Sequence, residues 1–94
     1  MINKTIEQIE ETIRKMEHVD SGKKDELRRL LAELKTEIDA LSATHGDQAR
    51  QIESHLGALS SQDLTASVRG FEVSHPKLVG AINEFCKLLA GIGI

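Results

Sequence analysis

The sequence predicts an all-α protein. The expected form is an antiparallel helical hairpin with a coiled-coil-like seam, followed by C-terminal helices and assembled into an oligomeric helical bundle. Three observations point there. Apolar residues recur in 4-3-4-3 steps along most of the chain, the spacing of a heptad stripe on a helix. Aromatic rings are nearly absent, with two Phe and no Tyr or Trp. Rings commonly fill wide cores, so a Leu/Ile interior without them suits narrow helix–helix seams. The lone proline, Pro76, and a modest number of glycines leave few residues for the tight turns of a β fold. The 94 residues make one domain, read as a hairpin over 1–45 and a helical half over 46–94.

The first helix is expected over residues 3–18. Ile2, Ile6, Ile9, Ile13 and Met16 form its stripe. Asn3 or Thr5 can cap it, and Thr5 with Gln8 has capping-box spacing. Glu7, Glu10 and Glu11 lie in the early turns, which the helix dipole favours. Residues 19–22 (Val-Asp-Ser-Gly) read as a short turn, with Asp20 or Ser21 capping the second helix. So short a link makes the two helices antiparallel.

The second helix, over 23–44, carries the strongest pattern. Leu27, Leu31, Leu34, Ile38 and Leu41 step 4-3-4-3, and Leu30 widens the stripe. Asp25 and Arg29 are spaced for an i,i+4 pair, worth about 0.3 kcal/mol on a helix surface. Gly46 is the expected left-handed stop, and Asp47 the cap of a weaker third helix over 48–59. Ala49, Ile52, Leu56 and Leu59 form its stripe, and Gly57 and the Ser60-Ser61 pair weaken its end.

In the last third, Leu64, Val68 and Phe71 form one stripe and Leu78, Ile82, Phe85, Leu89 and Ile92 another. Pro76 argues for a break, with Ser74 or His75 as cap and the proline in the first turn of a new helix. The 4-3 phase nevertheless runs unbroken through His75, so one kinked helix is the alternative. Gly91 and Gly93 end the last helix. That helix is apolar over a broad face, through Val79, Cys86 and Leu88 as well as its stripe. A narrow hairpin seam beside so broad a face suggests that copies of the chain complete each other's core, as a homodimer or homotetramer. The stripe residues expected to build that core or oligomer seam are Ile6, Ile9, Ile13, Leu27, Leu31, Leu34, Ile38, Leu41, Leu78, Ile82, Phe85 and Leu89.

Little in the chain suggests chemistry. The net charge of −3 gives no electrostatic reason to expect nucleic acid or an anionic membrane. Lys23, Lys24, Arg28 and Arg29 form the one basic cluster, but Asp25 and Glu26 interrupt it. The segment 78–94 is too short to span a bilayer and is broken by Glu84 and Lys87. Residues 1–20 are charged every few positions, unlike a signal peptide, so the cytoplasm is the expected compartment. Cys86 is the single cysteine, on an apolar flank where a thiol is inert. His18, His45, His55 and His75 show no i,i+3 or i,i+4 ligand spacing, so a metal site would have to be assembled across helices. No phosphate-binding glycine loop precedes a helix. No catalytic, metal or cofactor residues are expected, and the chain reads as a non-enzyme.

One stretch carries a resemblance. Residues 71–78 read Phe-Glu-Val-Ser-His-Pro-Lys-Leu, Ala81-Ile82-Asn83 come shortly after, and the chain closes Leu89-Ala90-Gly91-Ile92-Gly93-Ile94. This is similar to a family of short bacterial helical proteins known only as a domain of unknown function, with an F-E-x-S-H-P-x-L segment and a terminal L-x-x-(L/M)-G-I. The ending departs slightly, because Gly91-Ile92 precedes the final Gly93-Ile94. The resemblance implies a cytoplasmic helical protein and transfers no activity. It marks Phe71, Ser74, His75 and Pro76 as the family-like element. That element reads either as a helix start or as a partner-docking corner exposing the His75 imidazole.

The sequence supports two function classes. One is an interaction or structural module that self-associates and can bind another helical protein. The other is a small regulatory binding protein whose seam or 71–76 corner holds a partner helix or an apolar ligand.

Overall fold

The chain turns back on itself where Asp20 offers its carboxylate to a free helix end. In the computed structural model, which describes residues 2–93, the Asp20 backbone is extended and its Oδ1 accepts from the Lys23 amide at 2.9 Å. That cap links α1 (Ile2–Arg14) to α2 (Ser21–Ser42). Three further helices complete the chain: α3 (Gly46–Gly57), α4 (Ser61–Ser67) and α5 (Pro76–Gly91). No strand is present among the described residues, so the all-α expectation holds.

α2 is the hub. It packs against α1, α3 and α5; α3 also meets α1, and the short α4 bridges α3 to α5. Its six buried residues, Leu27, Leu30, Leu31, Leu34, Ile38 and Leu41, point to more than one partner because Leu30 widens the stripe beyond a two-helix seam. All twelve stripe residues fall in one apolar cluster, none more than 7 % exposed. Val79, Cys86 and Leu88, on the broad face of α5, are half-buried; Leu59 and Phe71 join them against the same cluster. One copy of the chain therefore closes its own stripes. The radius of gyration of 12.5 Å matches the ~13 Å of a compact 100-residue domain.

Several ends differ from the sequence expectation. α1 stops at Arg14, four residues short of His18. Lys24 Nζ donates to the Arg14 carbonyl at 3.2 Å, placing a cation on a free C-terminal acceptor, and Val19 turns inward to 6 % exposure. Neither Asn3 nor Thr5 caps α1, since both lie inside the helix; Thr5 Oγ1 instead donates to Glu53 Oε1 on α3 at 3.3 Å. Gly46 is not a left-handed stop but the first residue of α3. The His45 amide already bonds the Leu41 carbonyl at 2.8 Å and α2 ends in right-handed geometry at Ala43, so no left-handed residue is required. Asp47 is not the cap of α3, because His45 occupies that position. The expected Asp25–Arg29 pair is replaced by Asp25–Arg28 at 3.5 Å and Glu26–Arg29 at 3.9 Å, both i,i+3 and exposed. Such pairs contribute little.

The left-handed stop lies instead at Leu59, with φ +53°. The Ser60 amide bonds the His55 carbonyl at 3.2 Å and the Leu59 amide bonds that of Leu56 at 3.0 Å. These two bonds are the paired closure of a Schellman end, a position usually given to glycine. Leu59 holds it because its side chain packs on the core.

The alternative of a single kinked C-terminal helix is settled against: α4 and α5 are separate, and Pro76 opens α5. Gly70 turns the chain at φ +97°, its amide held by Glu72 Oε1 at 2.7 Å, before the proline is reached. Gly93, at φ +88°, lies just past the end of α5.

This packing makes two stability predictions. Leu34, fully buried on α2, should cost about 2–5 kcal/mol when replaced by Ala, measured by denaturant unfolding; an unchanged midpoint would remove it from the core. At Leu59 the usual order should invert. Leu59→Gly should be more stable than Leu59→Ala by about 1 kcal/mol, because only glycine enters left-handed geometry freely.

Candidate functional site

The residues singled out by the family-like segment fall in the connection between α4 and α5. Residues 68–75 fold locally: the Phe71 amide bonds the Val68 carbonyl at 3.1 Å, and the His75 amide bonds that of Phe71 at 2.8 Å. The second bond spans one turn and sets Phe71 beside His75. Phe71 and His75 are half-buried, and Ser74 and Pro76 are exposed. Ser74 does not cap α5; His75 holds the cap position and Pro76 the first turn. Proline suits that place because its missing amide would have had no partner there.

His45 completes the corner. Its ring stands 5.5 Å from Phe71 and 6.2 Å from His75, and Phe71 and His75 are 5.8 Å apart, all three edge-to-face. This is the favoured geometry of aromatic pairs. His45 and His75 are equivalent in the backbone: each is the cap residue of a helix, with φ −134°, ψ 63° and φ −137°, ψ 63°. Neither uses its side chain to cap. The His45 ring instead has its Nδ1 2.9 Å from Thr44 Oγ1. Sequence reasoning missed His45 because 30 positions separate it from His75, and only the antiparallel return of α5 along α2 brings the two helix starts together. The one trace in the sequence is that both histidines directly precede a helix, one before Gly46 and one before Pro76.

Between Phe71 and His75 in the chain, Val73 is 95 % exposed, the one large apolar side chain left in solvent among the described residues. The twelve stripe residues, by contrast, line the interior, none more than 7 % exposed.

Elsewhere the polar groups are arranged structurally. Ser60 Oγ donates to Asp63 Oδ2 at 3.0 Å, while His55 Nδ1 lies 3.8 Å from the same oxygen, beyond hydrogen-bond range. Cys86 is half-buried; its Sγ lies 3.6 Å from the Ser61 carbonyl and 3.9 Å from Thr65 Oγ1, a carbonyl and a hydroxyl. No group of three or more His, Cys, Asp or Glu gathers among the described residues. A surface groove between α1 and α2 is lined by Glu7, Glu10, Glu11, Arg14 and Arg28. Within it the Arg14 guanidinium, hydrogen-bonded to Glu11, holds that carboxyl below its ordinary range. Both groups are well exposed, so the pair is a solvated surface contact. No helix among the described residues is long and apolar enough to cross a membrane.

No curated protein and no solved structure matches the chain. One family model does, over residues 2–94, and by that match the chain belongs to the family described as a domain of unknown function, DUF4404.

Proposed function

We propose that the chain is a non-enzymatic interaction module that meets its partner, first of all a second copy of itself, through the corner formed by His45 and residues 71–76. The observation that carries this reading is Val73. A single exposed valine is ordinary on a protein surface. This one is 95 % exposed where the other large apolar side chains of the described residues are buried or half-buried, and it lies in the chain between two half-buried rings, Phe71 and His75. The stripes that suggested self-association are closed within one copy, so association would use the corner and the polar surface around it. A stable interface takes about 20–30 residues a side. A corner of seven is smaller, so the association is weak and depends on concentration.

The second reading, a small regulatory protein that holds a partner helix, uses the same corner; the seam itself is filled. Light scattering behind size exclusion, over a wide concentration range, separates the two. Self-association predicts a mass that rises toward a dimer or tetramer, and Val73→Asp should hold it at the monomer without changing the melting temperature. A monomer at every concentration would sink the self-association and leave the partner-helix reading. An oligomer indifferent to Val73→Asp would sink self-association through the corner.

A further inference from the structure

We propose that Val73 docks in a groove at the meeting of α1, α2 and α3 on a second copy of the chain, and that the two copies exchange this contact across a two-fold axis. The inference rests on the self-association reading and names the surface that receives the corner. Ile2, Ile38 and Ala49 form the floor of the groove, and Asp39, Arg50 and Glu53 stand on its rim. Its lining is mainly apolar and it holds about 420 Å³. That lies within the ~300–1,000 Å³ of small-ligand sites and leaves room for a valine and its neighbours. Val73, at 95 % exposure, does not enter the groove of its own copy.

Projection and groove lie at the same end of the bundle. Gly46 lines the groove and directly follows His45. The His45 ring packs on Phe71 and His75, the residues on either side of Val73 in the chain. A two-fold interface uses one patch twice, so that patch must be complementary to itself. A patch holding both a projecting valine and an apolar groove meets this condition, since each copy inserts its own valine and receives the other.

The charges around the two features are opposite. Glu72, exposed beside Val73, matches Arg50 on the rim. Arg50 is linked to Asp47 at 3.4 Å, but both groups are well exposed, so that pair is weak and easily exchanged. Lys77, exposed in the first turn of α5, matches Asp39 and Glu53. A head-to-head contact of two Val73 side chains would instead bring the positive starts of the two α5 helices toward each other. The exchange also enlarges the contact, because each copy contributes its groove as well as its corner. That moves it toward the roughly 20–30 residues a side of a stable interface.

The test is disulfide trapping between full-length chains in a Cys86→Ser background, where serine keeps a donor for the Ser61 carbonyl. Chains carrying Val73→Cys are mixed with chains carrying Ser42→Cys, an exposed position lining the groove, and oxidised mildly. Asn83→Cys, exposed on α5 and outside the groove, is the control. The expected product is the mixed 73–42 disulfide, in excess over 73–73, 42–42 and 73–83 products. In light scattering, Ser42→Arg should weaken self-association by at least about tenfold, as should Val73→Asp, the scale of losing one buried valine. Ser42 is the last residue of α2, where a cation is favoured, so the arginine variant should stay folded by circular dichroism. Dominant 73–73 disulfides, with an oligomer indifferent to Ser42→Arg, would overturn the groove and leave self-association through the corner standing. Disulfides in random proportion, with a monomer at every concentration, would overturn both. The trapping variants replace exposed side chains only, so they decide the matter even if Ser42→Arg misfolds.

Discussion

Every other part of this molecule is arranged around the leucine-rich face of α2. A helix with a strict two-in-seven stripe can pair with one neighbour along a narrow seam. Leu30 breaks that restriction by adding a buried position beside Leu31, and α2 thereby gains room for three neighbours instead of one. α1 arrives through the Asp20 turn, α3 through the bend at His45, and α5 only after the chain has been reversed by α4 and the Gly70 turn. The site inherits its geometry from this arrangement. His45 lies just beyond the end of α2 and His75 at the start of the helix that returns along it.

Much of the fold could be read from the residues, because apolar periodicity is a local signal. The stripes on α1, α2 and α5 report which face is covered, and Asp20 and Pro76 report where helices begin. What could not be read was the number of partners each face would find. The stripe of α5 is buried within one copy, against α2 and α4, while Val79, Cys86 and Leu88 on its broad face are half-buried. Helix ends were less legible. Gly46 was the obvious candidate for a left-handed residue, but a backbone bond from His45 to Leu41 closed the helix first, and a core contact placed the strained conformation on Leu59. Tertiary packing outweighed local preference at both points.

The corner was half legible. The segment around Phe71, His75 and Pro76 stood out as a unit, but its third ring comes from another part of the chain, and nothing in the spacing of His45 joined it to the others. Adjacent helix starts are a product of topology. The same holds for Val73, whose exposure distinguishes it only once the remaining valines are seen to be covered or half-covered.

The order of the helices along the chain bears on how the protein reaches this state. α1, α2 and α3 are consecutive neighbours joined by short links, so their contacts form between segments close in sequence, which favours rapid folding. The side of α2 that remains is covered by α5, the last helix in chain order. Until that helix arrives, a nascent or partly folded chain presents leucines to solvent, the condition under which chains are captured by chaperones or by one another. The closing step therefore falls to the segment that begins at Pro76.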